Sequence, residues 1–349
     1  MPIAAGPTTA APSLVGGVRR RTRRRAVAVV SIVGVMAIFV AVLALSIGDY
    51  PLSPAQLWNT LIGGGDRVEQ YVVFQVRMPR LAMALLVGAA LGVGGALLQS
   101  LLRNPLASPD LLGISGGSGV AAVFTLLVIG TTGPLLSLGA FVGGIAVAAL
   151  LLLAARTQVD GGYRLVLAGV GVSFLCTSIT SLLMIRAKIE QTQMAMLWLT
   201  GSLSSTPWWQ VVTVATVVAL TTPVVVVVAR LLPIAQLGAD TASGLGVRPG
   251  VVRVLAVTAA VLLTSVTCAF VGPISFIALC APAIARPLLG RGAIGVGTSC
   301  VIGALLLTCA DLVAQFAIPG MQLPVGVVTG AVGAVFLLWL LATSKGRTL

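Results

Sequence analysis

The stretch RMPRLAMALLVGAALGVGGALLQSLLRNPLASPDLLGISGGSG, residues 77–119, decides the fold. Two arginines bracket a proline, and behind them an apolar, glycine-dotted segment runs from about residue 81 to 101 and closes on Asn104-Pro105. About 20 apolar residues, each adding about 1.5 Å of helix, cross roughly 30 Å of hydrocarbon. The segment reads as a membrane-crossing helix opened by Arg77 and Arg80 and closed by a polar turn.

The rest of the chain repeats that pattern. Of 349 residues, 58% are hydrophobic and 8% charged, against roughly 25% charged in an average soluble domain. Apolar runs lie near 26–46, 81–101, 112–130, 134–154, 164–185, 209–230, 252–271, 274–290, 293–314 and 324–343. The fold class is therefore all-α and polytopic, with about ten transmembrane helices. The Gly133-Pro134 and Gly272-Pro273 junctions leave so little chain between neighbours that re-entrant or broken helices are expected there.

The net charge of +13 is a topology signal and not a nucleic-acid footprint, because the basic residues cap apolar runs instead of forming an aromatic-interleaved stripe. Residues 1–25 read as a disordered basic cytoplasmic tail ending in RRRTRRR, and residues 26–345 as the membrane domain. The first apolar run exceeds a signal-peptide core and is taken as an uncleaved span. With the N-terminus inside, the six tail arginines join Arg103, Arg156, Arg164, Arg230, Arg248, Arg253, Arg286, Arg291, Lys345 and Arg347 on the cytoplasmic side. Only Arg67, Arg77, Arg80, Arg186 and Lys188 fall outside, so both termini are placed in the cytosol. Trp58, Trp198, Trp208, Trp209 and Trp339 sit at helix ends or in loops, as interfacial anchors do.

Several chemistries are excluded. The chain has no histidine, which rules out Ser-His-Asp catalysis, histidine-ligated zinc and imidazole proton relays. No G-x-x-x-x-G-K-[ST] phosphate loop is present, so the chain carries no P-loop ATPase site. Cys176, Cys268, Cys280, Cys300 and Cys309 are odd in number and lie in or beside apolar segments, which suits packing and implies neither disulfide nor metal site. Glycines four apart, Gly88 with Gly92, Gly139 with Gly143 and Gly326 with Gly330, read as notches for close helix packing, a glycine-lined conduit being the alternative. No inverted or parallel repeat is evident, which weighs against common secondary-transporter folds.

Four places invite a functional reading beside a bland one. Arg77 and Arg80 share one side of a helical turn at the outer end, either snorkelling to headgroups or forming half of a basic socket for the carboxylates of an extracytoplasmic partner. Asn104-Pro105-Leu106 is either turn chemistry alone or a constriction in which Leu106 narrows a pore. The segment 233–250 suits a short helix from about Ala239 to Leu245 stopped by Gly246, either a solvated loop or a surface for a cytoplasmic partner. Asp311 is the only acid deep in an apolar run, and it needs a partner or water there. As an ion-coupling site it would make the chain a secondary transporter; an intramembrane enzyme is a third class, disfavoured by the absence of histidine and of paired acids.

RMPR, RNPLASPDLLGISGGSG, LVLAGVGVS, WLTGSLS, LGADTASGLGV, CAFVGPISFIALCAPAIAR, GALLLTCADLVAQ and LPVGVVTGAVGAVFLL stand in this order along residues 26–345. In this respect the chain resembles the FecCD-type permeases of siderophore and cobalamin ABC importers. The resemblance implies the type II ABC importer permease fold, a second permease subunit of the same or related sequence, two cytoplasmic ATPase subunits that bind the ATP, and an extracytoplasmic substrate-binding protein. The cargo it implies is a metal chelate, a ferric siderophore first and cobalamin or haem as alternatives, moved across the cytoplasmic membrane with no cofactor or metal site in this chain. By position it assigns Arg77, Arg80 and Gln315 to binding-protein docking, and Asn104, Leu106, Gly162 and Tyr163 to a cytoplasmic gate. Gly238, Ala239, Asp240, Ala242, Leu245 and Gly246 fall in the ATPase-coupling segment. The chain departs from the family pattern at Ala283, where histidine is frequent, at Gln315, where an outward arginine is expected, and at Gln322, where an acid is usual.

Overall fold

The computed structural model describes residues 11–154, 161–290 and 294–343; of residues 11–23, 154, 161–166, 341 and 343 only the backbone is described. Among the described residues the chain is helical throughout apart from connections and one isolated bridge, Ile318 with Met321. Helix α1 (Ala11–Ser46) is followed by two short helices, α2 (Pro54–Leu61) and α3 (Arg67–Tyr71), before α4 (Met78–Leu102). Then come α5 (Ile114–Phe124), α6 (Pro134–Ala154), α7 (Gly161–Ile185), α8 (Ile189–Thr200) and α9 (Trp208–Ala235). The chain ends with α10 (Ala239–Gly244), α11 (Pro249–Val271), α12 (Ile277–Leu289), α13 (Val296–Phe316) and α14 (Val325–Thr343).

Each of the ten apolar runs coincides with a helix. Among the described residues, seven helical stretches are long and apolar enough to cross a membrane, and three shorter ones, Ile114–Ile129, Ile277–Leu289 and Val325–Leu340, fill the remaining runs. The short α12 follows the expected break: Gly272 ends α11 with a left-handed φ of 74°, and the backbone stays non-helical to Phe276. The protein is thus an all-α polytopic membrane protein.

Two elements differ from expectation. The tail read as disordered to residue 25 is helical from Ala11 onward, with residues 1–10 outside the described set. Once Ala26–Ser46 is helical, each preceding residue gains a hydrogen bond without a new nucleation cost, and arginine is a good helix former. Nor do Arg77 and Arg80 open the second helix. Helix runs unbroken from Arg67 to Leu102, passing the proline through a widened π turn at Val72–Arg77 in which the Met78 N–H reaches Val73 O. Proline offers no N–H to the carbonyl four residues back and its ring crowds that carbonyl, so a locally wider turn relieves the conflict.

Helices α4 and α11 are the most enclosed of the long helices, and α4 packs against α9, α11, α12 and α13. The glycine notches explain how closely. A Cβ on Gly88 would stand 2.3 Å from Gly303 O, one on Gly92 2.2 Å from Ser299 O, and one on Gly95 1.7 Å from Ala278 O, so α4 meets α13 and α12 backbone to backbone. Gly143 faces Gly117 O at 2.4 Å in the same way, joining α5 to α6. Gly330 has nothing within 4 Å, so the third pair is a notch only at Gly326. Since lipid supplies no hydrophobic drive between helices, dispersion contacts at such notches hold the bundle together. Helix α1 leaves large apolar side chains such as Ile32, Val35 and Ile38 exposed, as does α7 with Phe174 and Leu182, which suits a lipid-facing rim.

Candidate functional site

The N-terminal end of α4 joins three elements around one cavity of about 210 Å3 whose walls include Asp49, Tyr50, Arg77, Arg80, Asp311, Gln315 and Gln322. Arg77, carried by the π turn, donates from Nη1 to Leu45 O and from Nη2 to Tyr50 O, both at 2.6 Å, and so caps the end of α1. Arg80 lies one turn further on and points to α13. Its Nη2 is 2.9 Å from Asp311 Oδ1 and its Nε 3.0 Å from Asp311 Oδ2, a bidentate pair whose side chains are 14% and 6% exposed. Gln315 adds an amide donor to Asp311 Oδ2 at 2.8 Å, and Gln322 accepts from Arg80 Nη1 at 3.4 Å.

Asp311 therefore has the partner its depth demands. Both carboxylate oxygens are engaged, which removes the argument for a free proton or cation site at this position. Of the two arginines, Arg77 keeps a charge with no direct carboxylate contact, whereas Arg80 is neutralised within the bundle.

Nearby, a short polar network that the apolar-run reading passed over ties α2 to α3. Ser53 and Gln56 form a capping box. The Glu69 carboxylate accepts from Gln56 Nε2 at 3.3 Å, Thr60 Oγ1 at 3.4 Å and Asp66 N at 3.2 Å. The signal was legible: Ser-x-x-Gln and Asp-x-x-Glu are helix-start patterns.

At the opposite end α4 stops at Arg103, whose left-handed φ of 50° ends the helix without glycine. Asn104 then does what its residue type allows: its Oδ1 accepts from Leu106 N at 2.9 Å, and its backbone N–H returns to Gln99 O at 3.2 Å. Arg103 donates to Gln236 O, Gln236 Nε2 to Ser100 O at 2.6 Å, and Arg286 Nη2 to Ser100 Oγ at 3.1 Å, so the ends of α4, α9 and α12 are laced together. Leu106 lines a second cavity of about 260 Å3 with Ser108, Asp110, Ser275, Phe276 and Leu337. Asp110, on the loop between α4 and α5, was not singled out in the sequence. Burial pushes its carboxyl above the usual carboxylate range, and hydrogen bonds from Ser115 and from the Phe276 backbone oppose that rise. Gly162 and Tyr163 lie at the start of α7, but their side chains fall outside the described residues.

The segment 233–250 folds as its sequence suggests. Helix α10 spans Ala239–Gly244, Leu245 closes it, and Gly246 turns with φ 79°. Ala242 is fully buried against α9 and α11, which seats the helix on the bundle, and the Val247 N–H bonds Ala242 O at 2.9 Å, which closes the end of α10. Asp240 occupies its first turn, where a negative charge suits the helix dipole. Leu237 and Leu245 flank it with 60% and 61% exposure. A short helix anchored by one small residue and flanked by two open leucines can transmit a push without unfolding.

The model of the FecCD transport family matches residues 36–343. The chain is 40% identical over 295 residues to the ferric enterobactin transport system permease protein FepG of Escherichia coli, covering 84% of this chain and 89% of that protein. It is 35% identical over 323 residues to the Fe(3+)-citrate import system permease protein YfmE of Bacillus subtilis, covering 92% and 96%. A solved metal-chelate type ABC transporter in an inward-facing conformation superposes with a TM-score of 0.81 at 26% identity, covering 90% of this chain and 98% of that one.

Proposed function

The chain belongs to the FecCD transport family, and from that premise we propose that it is the membrane-spanning subunit of an ABC importer carrying a ferric siderophore across the cytoplasmic membrane. The observation that carries the reading is the family match over almost the whole membrane domain, together with relatives whose names assign them ferric enterobactin and ferric citrate. ATP is bound by two separate ATPase subunits, and this subunit performs no covalent chemistry. A second permease subunit completes the pathway. Both termini lie in the cytosol, on the side of α10.

The geometry supports the following division of parts. Closure of the ATPases on ATP bears on α10 through Gly238–Gly246, with Leu237 and Leu245 as the apolar contact and Ala242 as the seat. Because α10 is packed on α9 and α11 through Ala242, the push reaches the enclosed centre of the bundle as rigid-body rocking and not as local unfolding. Asn104, Leu106, Gly162 and Tyr163 form this subunit's share of the cytoplasmic constriction. At the outer face Arg77 and Gln315 meet the substrate-binding protein, and Arg80 shapes that surface through Asp311.

The test is reconstitution of the complete complex in vesicles with radioiron-labelled siderophore and a supplied binding protein. Uptake that requires ATP hydrolysis supports the assignment. Uptake by this chain alone, driven by an ion gradient without ATP, contradicts it.

A further inference from the structure

Between α4 and α5 the chain enters the bundle before climbing again. Ala107, Ser108 and Leu112 of this loop are nearly fully buried. On one side it is wedged against α7, where a Cβ on Gly169 would stand 2.8 Å from Leu112 Cα and 2.9 Å from Leu111 O. On the other side is the break between α11 and α12. There the Asp110 carboxylate accepts the Ser115 hydroxyl at 2.5 Å and faces Phe276 across the cavity that both line, on the side where the Phe276 N–H favours its charged form.

Phe276 is an unusual place to find such a contact. It is a bulky non-glycine residue held at φ 68°, a left-handed conformation that survives only where neighbours enforce it. Two neighbours do so. Asp110 faces its N–H, which at the start of α12 has no carbonyl of its own helix to bond. Gly333 of α14 makes room for its side chain, since a Cβ there would fall 2.2 Å from both Phe276 Cβ and Cγ.

We propose that Asp110 is a positioning residue that caps α12 across the bundle and thereby ties the loop bearing Asn104 and Leu106 to the α11–α12 break. Leu106, Asp110 and Phe276 line one cavity, so the contact sits beside the constriction it governs. When the cytoplasmic end opens, the loop and α12 move as one body or the Asp110–Phe276 bond parts. The proposal rests on reading Asn104–Leu106 as the constriction.

The experiment uses the complete complex in vesicles, with Leu106→Cys added as a reporter in a background lacking the native cysteines. An Asp110→Asn carboxamide oxygen still accepts both hydrogen bonds, so this variant is expected to keep the wild-type ratio of chelate moved to ATP hydrolysed and the wild-type labelling rate at residue 106. Asp110→Ala loses both, and is expected to lower that ratio about tenfold while ATP hydrolysis persists and residue 106 reacts faster without nucleotide. Ser115→Ala removes one donor only and should fall between; it decides the matter if Asp110→Ala fails to assemble. Wild-type ratio and labelling in Asp110→Ala overturn the proposal, as does a wild-type Ser115→Ala when Asp110→Ala does not assemble. A wild-type complex with no ATP-driven uptake overturns the transporter reading instead, and the labelling rates still report on the tie.

Discussion

Arg80 and Asp311, 231 positions apart in the chain, form a bidentate ion pair that joins the start of α4 to α13. Gln315 and Gln322 complete it. A carboxylate at that depth is costly unless its charge is met, and a guanidinium fork meets both oxygens at once.

Breaking one side should therefore hurt more than removing both. Arg80→Ala leaves an unpaired buried carboxylate and is expected to cost about 3 kcal/mol, whereas the double neutral variant Arg80→Gln with Asp311→Asn recovers most of that loss. Arg80→Lys supplies charge without the fork and should lie between. Thermal unfolding of the purified protein in detergent, analysed as a double-mutant cycle, checks the pair.

The same double variant separates support from docking. Arg77→Gln is expected to weaken association of the substrate-binding protein, while Arg80→Gln with Asp311→Asn leaves it within about twofold, because the Arg80 charge is already spent inside the bundle. Binding of the labelled partner to vesicles holding each variant measures the difference.

Much of this was legible in the sequence, because a membrane forces helix length and hydropathy into the open. The ten apolar runs, the break at Gly272-Pro273, the Asn104 turn and the short helix ended by Gly246 follow from residue types at fixed spacing. What escaped were relations between distant residues. Arg80 read as an outward-facing cation because nothing local hinted at Asp311. Asp110 drew no attention because what it faces across the cavity is the backbone at Phe276, which carries no residue signature. The helix also ran on past Pro79 because a π turn absorbed a residue that ordinarily starts helices.

The glycine notches predict a graded response. Gly95→Ala places a methyl 1.7 Å from Ala278 O, against backbone that cannot yield cheaply, and should destabilise the protein by about 1 to 3 kcal/mol. Gly171→Ala, with nothing within 4 Å, should be neutral or slightly stabilising through helix propensity. Comparison of their unfolding midpoints with wild type decides whether close packing, and not conduit lining, fixes these residues.

On the α10 surface, Leu245→Asp is expected to reduce ATPase co-purification more than tenfold, about 1.4 kcal/mol or above, without shifting the unfolding midpoint, since Leu245 is open to solvent. Ala242→Leu should instead fail as a folding variant, because that Cβ is the buried seat of the helix.

The most direct test concerns which side of the membrane α10 occupies. With the native cysteines replaced, Leu245→Cys should resist a membrane-impermeant maleimide in intact cells and react readily in inside-out vesicles, where added ATPase subunits protect it. Rapid labelling from outside intact cells would place α10 on the wrong face for an ATPase and contradict the importer reading.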